Sequence, residues 1–128
     1  LSKEALEHMY ALKTGALIHA SVTCAGLLRE DLTDVQEHSL DAFGRAIGVA
    51  FQIKDDILDV EGETHVIGKK AGADERLSKA TYPGLFGLEQ SRERCSELLN
   101  TALDHLEPFG RNAAPLAWLA RFTVERGK

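Results

Sequence analysis

The segment from Thr33 to Asp59 constrains the fold more than any other part of the chain. Its apolar residues recur at helical spacing, with no proline and no period-two alternation to interrupt them. Thr33 and Gln36 have the spacing of a capping box, in which each side chain satisfies a backbone N–H of the other. The pattern predicts one helix of about 26 residues, about 39 Å long at 1.5 Å per residue. Such a helix is as long as a small domain is wide, so the rest of the chain has to pack along it.

This helix has two faces. Phe43, Ile47, Ala50, Phe51, Ile57 and Leu58 form its hydrophobic side. A second stripe reads Gly44, Gly48, Gln52, Asp55, Asp59, with Asp56 at its margin. Each glycine inside a helix costs about 0.5–1 kcal/mol relative to alanine. Two of them, one turn apart, imply either a neighbour that approaches closely or space kept for a ligand. The aspartates raise a separate question, because Asp disfavours helix interiors and is rarely buried without a partner. Carboxylates this close repel one another unless a cation neutralises them. Mg²⁺ suits such oxygens and completes its shell with water and substrate phosphates. The competing reading is a solvated acidic patch at a helix end. Two features weigh against it. The macrodipole disfavours acids at a helix C-terminus, and Lys69, Lys70 and Lys79 follow in residues 61–81, a group able to bind an anion. Punctuated by Gly62, Gly68 and Gly72, that stretch reads as one long irregular loop, a feature that is uncommon inside a domain and often functional.

Helical period continues elsewhere. A first helix is predicted over Lys3–Leu28, capped by Ser2, with Leu6, Tyr10, Leu17, Ala20 and Cys24 on one apolar stripe. Lys13 falls on that stripe, and two readings stand. Its stem packs while its ammonium reaches water, or it lines the same cavity as a phosphate ligand, with Thr14 beside it. Thr81 and Pro83 suit the start of another helix. Cys95, Leu98, Leu99, Ala102 and Leu106 give a further stripe, residues 107–115 a turn, and Leu116, Leu119, Ala120 and Val124 a last helix. The sum is an all-α architecture of four or five helices. His19 reads as a packed histidine, and Trp118 as core. Arg126 and Lys128 read as solvated ends, or as a basic tail reaching an anionic substrate.

Several classes drop out. A net charge of −5 argues against nucleic acid as a partner. No stretch approaches the roughly 20 apolar residues of a membrane span. Zinc spacing, a P-loop, an EF-hand loop and a Ser/His/Asp order are all absent. Cys24 and Cys95 lie on apolar faces without ligand spacing, as expected of buried free thiols in a reducing cytoplasm. No signal-peptide pattern opens the sequence, which begins at Leu1 inside a helical pattern, as a fragment or processed product would.

Four segments carry a resemblance: "KTG" at 13–15, "GVAFQIKDDILDVEG" at 48–62, "GKKAGAD" at 68–74 and "KATYPGLFGLE" at 79–89. In this order they resemble the C-terminal half of the trans-isoprenyl diphosphate synthases, with the bacterial farnesyl diphosphate synthases nearest. The resemblance spans almost the whole sequence, residues 1–128, as part of one all-α isoprenyl synthase domain. It implies a helical bundle around a central cavity, a cytoplasmic homodimer, and a Mg²⁺-dependent prenyltransferase. The reaction would condense an allylic diphosphate with isopentenyl diphosphate, head to tail, to give farnesyl diphosphate. By matching position, Asp55, Asp56 and Asp59 would form the second aspartate-rich metal motif, with Asp55 the main direct ligand. Lys13, Lys69 and Lys79 would hold the allylic diphosphate, and Thr14 and Gln52 would face the developing cation. The family's first aspartate-rich motif, which binds two of its three metals, is absent from this sequence. The resemblance therefore implies a missing N-terminal half and a fragment inactive by itself. A geranylgeranyl or longer-chain synthase, or a non-catalytic helical subunit of the same fold, are the alternatives.

Overall fold

The computed structural model describes residues 1–67 and 80–127, with the side chains of 63–67 excepted. Among the described residues there is no strand. The elements are α1 (Lys3–Leu12), α2 (Thr14–Leu27), α3 (Asp34–Ile67), α4 (Tyr82–Phe86), α5 (Leu88–His105), a 3-10 helix (Glu107–Ala113) and α6 (Ala114–Glu125). α3 is the axis: α2 packs along one side of it, α5 along another, and α1, α4 and α6 make smaller contacts with it.

Local chemistry sets most boundaries. The Ser2 side chain accepts a hydrogen bond from the Ala5 N–H at 3.1 Å and caps α1. At α3 the capping box forms in both directions: the Gln36 N–H donates to Thr33 Oγ1 and the Thr33 N–H to Gln36 Oε1, each at 3.1 Å. Thr81 caps α4 through the Gly84 N–H, with Pro83 in the first turn. Gly87, at φ 85°, turns the chain from α4 into α5 in a conformation that side-chain-bearing residues rarely adopt.

The core lies between α3 and α5. Phe43, Ile47, Ala50, Ile53 and Ile57 meet Cys95, Leu98, Ala102 and Leu106, with Leu6, Tyr10, Tyr82, Ala113 and Ala120 completing the cluster. Cys95 donates through its thiol to the Ala50 carbonyl, and burial pushes its pKa up to about 11. Outside the core, Arg94 forks onto both carboxylate oxygens of Glu7 at 2.7 and 2.9 Å, tying α5 to α1.

Five expectations need correction. The first helix is two helices, broken at Lys13, whose φ of −88° and ψ of −119° are not helical. No proline causes the break. It lets Gly15 reach the backbone of α3, which a continuous helix would carry past on a different line. The break also rotates the face that α2 buries: Gly15 and Gly26 are buried, whereas Leu17, Ala20 and Cys24 are exposed. Cys24 is thus a free exposed thiol, and only Cys95 is buried. α3 runs on to Ile67, through Gly62, where an added Cβ would meet nothing within 4 Å, so the irregular stretch does not begin at 61. Residues 107–113 form a 3-10 helix bent at Gly110 (φ 56°) instead of a simple turn. Trp118 is 64% exposed, stacked on Phe122 at 5.3 Å, and is no part of the core.

Candidate active site

The polar stretch of α3, from Gln52 to Asp59, faces the break between α1 and α2. Where the chain leaves helical geometry, Lys13 is exposed and Thr14 opens α2 half-buried beside α3. The Thr14 hydroxyl donates to Gln52 Oε1 at 3.4 Å, and Gln52 Nε2 donates to Asp56 Oδ1 at 3.2 Å, one turn along α3. The second Asp56 oxygen accepts a short hydrogen bond from the Tyr10 hydroxyl of α1. That hydroxyl in turn accepts from the Tyr82 N–H at 3.0 Å. One chain of hydrogen bonds therefore joins Thr14, Gln52, Asp56, Tyr10 and Tyr82.

Burial governs the electrostatics here. Asp56 is buried and Tyr10 is 2% exposed. Desolvation raises the Asp56 pKa above the usual carboxylate range, and hydrogen bonds from Tyr10 and Gln52 oppose that rise. The Tyr10 hydroxyl is pushed up as well, first by burial and then by its bond to Asp56. It stays protonated and keeps donating.

Asp55 and Asp59, four residues apart and so one above the other, are the more open carboxylates of the stripe. Asp59 is exposed, and the Asp55 side chain is about half so. Arg126 Nη2 lies 3.7 Å from Asp55 Oδ1, while its guanidinium sits 4.7 Å over the Phe51 ring. Arg126 is therefore packed against α3 instead of being a solvated end. His19 is half-buried and makes a 2.6 Å contact to Asp41, as a packed histidine would.

The structure joins Thr14 and Asp56 through Gln52 and leaves Asp55 and Asp59 more open on the same stretch of α3. Lys69 and Lys79 lie outside the described residues. Tyr10, read from the sequence as part of an apolar stripe, and Tyr82, given no role there, are the contributors that sequence reasoning missed. Gly44 and Gly48 resolve their alternatives in favour of a close neighbour. A Cβ on Gly48 would stand 2.7 Å from Gly15 Cα, and one on Gly44 would stand 3.1 Å from His19 Cα.

Residues 1–109 match the family described as Polyprenyl synthetase. The chain belongs to the polyprenyl synthetase family. Among curated members of that family, it is 41% identical to the farnesyl diphosphate synthase of Escherichia coli, over 98% of this chain and 43% of that enzyme. It is 42% identical to a chloroplastic geranylgeranyl pyrophosphate synthase of Capsicum annuum, over 98% of this chain and 34% of the relative. A crystal structure described as a candidate farnesyl-diphosphate synthase of a Marinomonas species superposes with a TM-score of 0.78 at 36% identity, covering 97% of this chain and 40% of that one. The isoprenyl synthase all-α fold follows from these matches. The chain spans roughly two-fifths of the length of the polyprenyl synthetases it matches. No helix among the described residues is long and apolar enough to cross a membrane.

Proposed function

We propose that this chain is the C-terminal half of a cytoplasmic farnesyl diphosphate synthase, which elongates an allylic diphosphate with isopentenyl diphosphate. One observation carries the reading. Three of the four segments that resemble the family, at 13–15, 48–62 and 79–89, meet in a single hydrogen-bond chain from Thr14 to Tyr82. Residue types suited to cation chemistry are thus assembled along the Gln52–Asp56 stretch of α3.

The donor set fits Mg²⁺. Asp55 and Asp59 offer hard carboxylate oxygens on an accessible helix face. No group of three His, Cys, Asp or Glu side chains converges among the described residues. These carboxylates would thus supply part of a coordination shell, leaving room for water and diphosphate oxygens. Bound Mg²⁺ would neutralise charge on a departing pyrophosphate.

The chain's own residues do the rest. Lys13, exposed at the helix break, is assigned to the allylic diphosphate, together with Lys69 and Lys79. Gln52 Oε1 and the Thr14 hydroxyl present oxygen dipoles to positive charge developing on the allylic carbons. Asp56, with both oxygens hydrogen-bonded inside the protein, holds Gln52 in orientation. The remainder of the enzyme would provide the other metal ligands, the isopentenyl diphosphate site and the homodimer contact.

The test is a condensation assay with radiolabelled isopentenyl diphosphate, geranyl diphosphate and Mg²⁺. The full-length enzyme is expected to form farnesyl diphosphate, and these 128 residues alone none. Product from the isolated chain would overturn the division of labour between halves. An inactive full-length protein would overturn the enzyme reading.

A further inference from the structure

We infer that Tyr10 is a positioning residue for the aspartate motif, one that turns Asp56 inward and couples it to the point where the chain returns at Tyr82. The inference rests on the proposed prenyltransferase site and adds a residue outside the segments that suggested it.

The geometry is specific. Tyr10 belongs to α1 and is 46 positions from Asp56, yet its hydroxyl is the partner of Asp56 Oδ2. It also takes the Tyr82 N–H, 72 positions away, at 3.0 Å. A tyrosine buried at 2% exposure needs one partner for its hydroxyl; this one has two, on two different elements. With Gln52 on its other oxygen, Asp56 has no carboxylate oxygen left unbonded within the protein. Adjacent Asp55 projects about 100° away round the helix and is half exposed. Of three closely spaced carboxylates, the structure takes one out of the cluster and gives it a structural partner. The repulsion that would otherwise act among all three is reduced on the face left to Asp55 and Asp59. Tyr82 begins the element that follows residues 68–79, the stretch containing Lys69 and Lys79. The Tyr10 hydroxyl thus joins α1 to Asp56 of α3 and to the first residue of α4.

Tyr10→Phe in the full-length enzyme removes the joint and keeps the ring in the core. Leu98→Ala is the control. It opens the core between α3 and α5 and touches no member of the hydrogen-bond chain. Two readouts separate positioning from mere stability. One is the Mg²⁺ concentration for half-maximal rate. The other, independent of turnover, is the affinity for inorganic pyrophosphate with Mg²⁺ by calorimetry. Tyr10→Phe is expected to raise the Mg²⁺ requirement and weaken pyrophosphate binding several-fold, with kcat down about tenfold and the KM for isopentenyl diphosphate unchanged. Leu98→Ala should lower the melting temperature at least as much and leave both readouts within twofold. Equal effects of the two variants, or wild-type Mg²⁺ and pyrophosphate behaviour in Tyr10→Phe, would overturn the inference. Should Tyr10→Phe not fold, Asp56→Asn decides. An amide can still accept from Tyr10, so pyrophosphate affinity within a few-fold of wild type supports positioning, and a loss as large as that of Asp55→Ala makes Asp56 a ligand and overturns it. If Asp55→Ala itself changes nothing, it is the metal-site reading that fails, whatever Tyr10→Phe shows.

Discussion

The two halves of α3 meet their neighbours by opposite means. From Gly44 to Gly48 the helix has no side chain to offer on the face toward α2, and backbone comes against backbone: Gly48 against Gly15, Gly44 against His19. From Gln52 to Asp56 the contact is polar, and each group is held by a hydrogen bond to Thr14 of α2 or Tyr10 of α1. The first half fixes how closely α2 can lie. The second uses that closeness, because a hydroxyl as short as that of Thr14 reaches Gln52 only if the helices are already near. Steric specificity upstream is therefore a precondition for polar specificity downstream.

The largest expected effect tests whether the polar half is a site at all. Asp55→Ala in the full-length enzyme should lower turnover by about 10²–10³-fold, the range seen when one preorganised electrostatic group is lost. Since Asp55 is about half exposed, the melting temperature should barely move. Near-normal turnover would make the cluster a solvated patch after all.

Gly48→Ala tests the other half. The added methyl would press on backbone that cannot swing aside, and overpacking of this kind costs about 1–3 kcal/mol. A shifted urea midpoint measures it. If the polar half depends on the glycine half, turnover should fall too, although residue 48 makes no polar contact. A destabilised protein with unchanged turnover would separate the two halves and break the comparison. Gly44→Ala should act in the same direction and less strongly, because its contact is 3.1 Å against 2.7 Å and a shift of a few tenths of an ångström relieves it.

The smallest effect is in acid. Asp41, at the edge of the glycine half, is bonded to Arg45 at 3.0 Å and to His19, and these partners hold its carboxyl below the ordinary range. A carboxylate depressed in the folded state contributes stability that is fully present above its unfolded pKa of about 4 and lost as pH falls through the folded value. Asp41→Asn should therefore flatten the acid side of the stability profile below about pH 4 and sacrifice a little stability at neutral pH. Parallel profiles for the variant and the parent would count against the Arg45–His19 clamp.

What was legible in the sequence was what neighbouring residues decide. Ser2, the Thr33–Gln36 pair and Thr81 marked three helix starts because a cap is a local hydrogen bond. The Gly44–Gly48–Gln52–Asp55 stripe was readable because helical spacing alone puts those residues on one face. Hidden was whatever depends on the facing element. Near Lys13 only Gly15 weakens a helix, too mild a signal to mark a break; in the structure Gly15 lies against Gly48 just past it, and Leu17 and Cys24 are outside. Tyr10 looked like any aromatic on an apolar stripe, since its two partners lie 46 and 72 positions away. Spacing put Asp56 at the margin of the Asp55–Asp59 stripe, but that it turns inward depends on Tyr10 of α1.

The unequal fate of the two cysteines gives the molecule an internal clock. A thiol reacts with an alkylating reagent only as the thiolate and only when reached. Cys24 is open to reagent in the native state, whereas Cys95 is sealed against the Ala50 carbonyl with its ionisation pushed up to about 11. In a timed pulse of iodoacetamide the first modification marks molecules present and the second marks those whose α3–α5 seam has come apart. The doubly labelled mass peak then counts opening events directly, without any engineered probe, as core substitutions such as Gly48→Ala are compared.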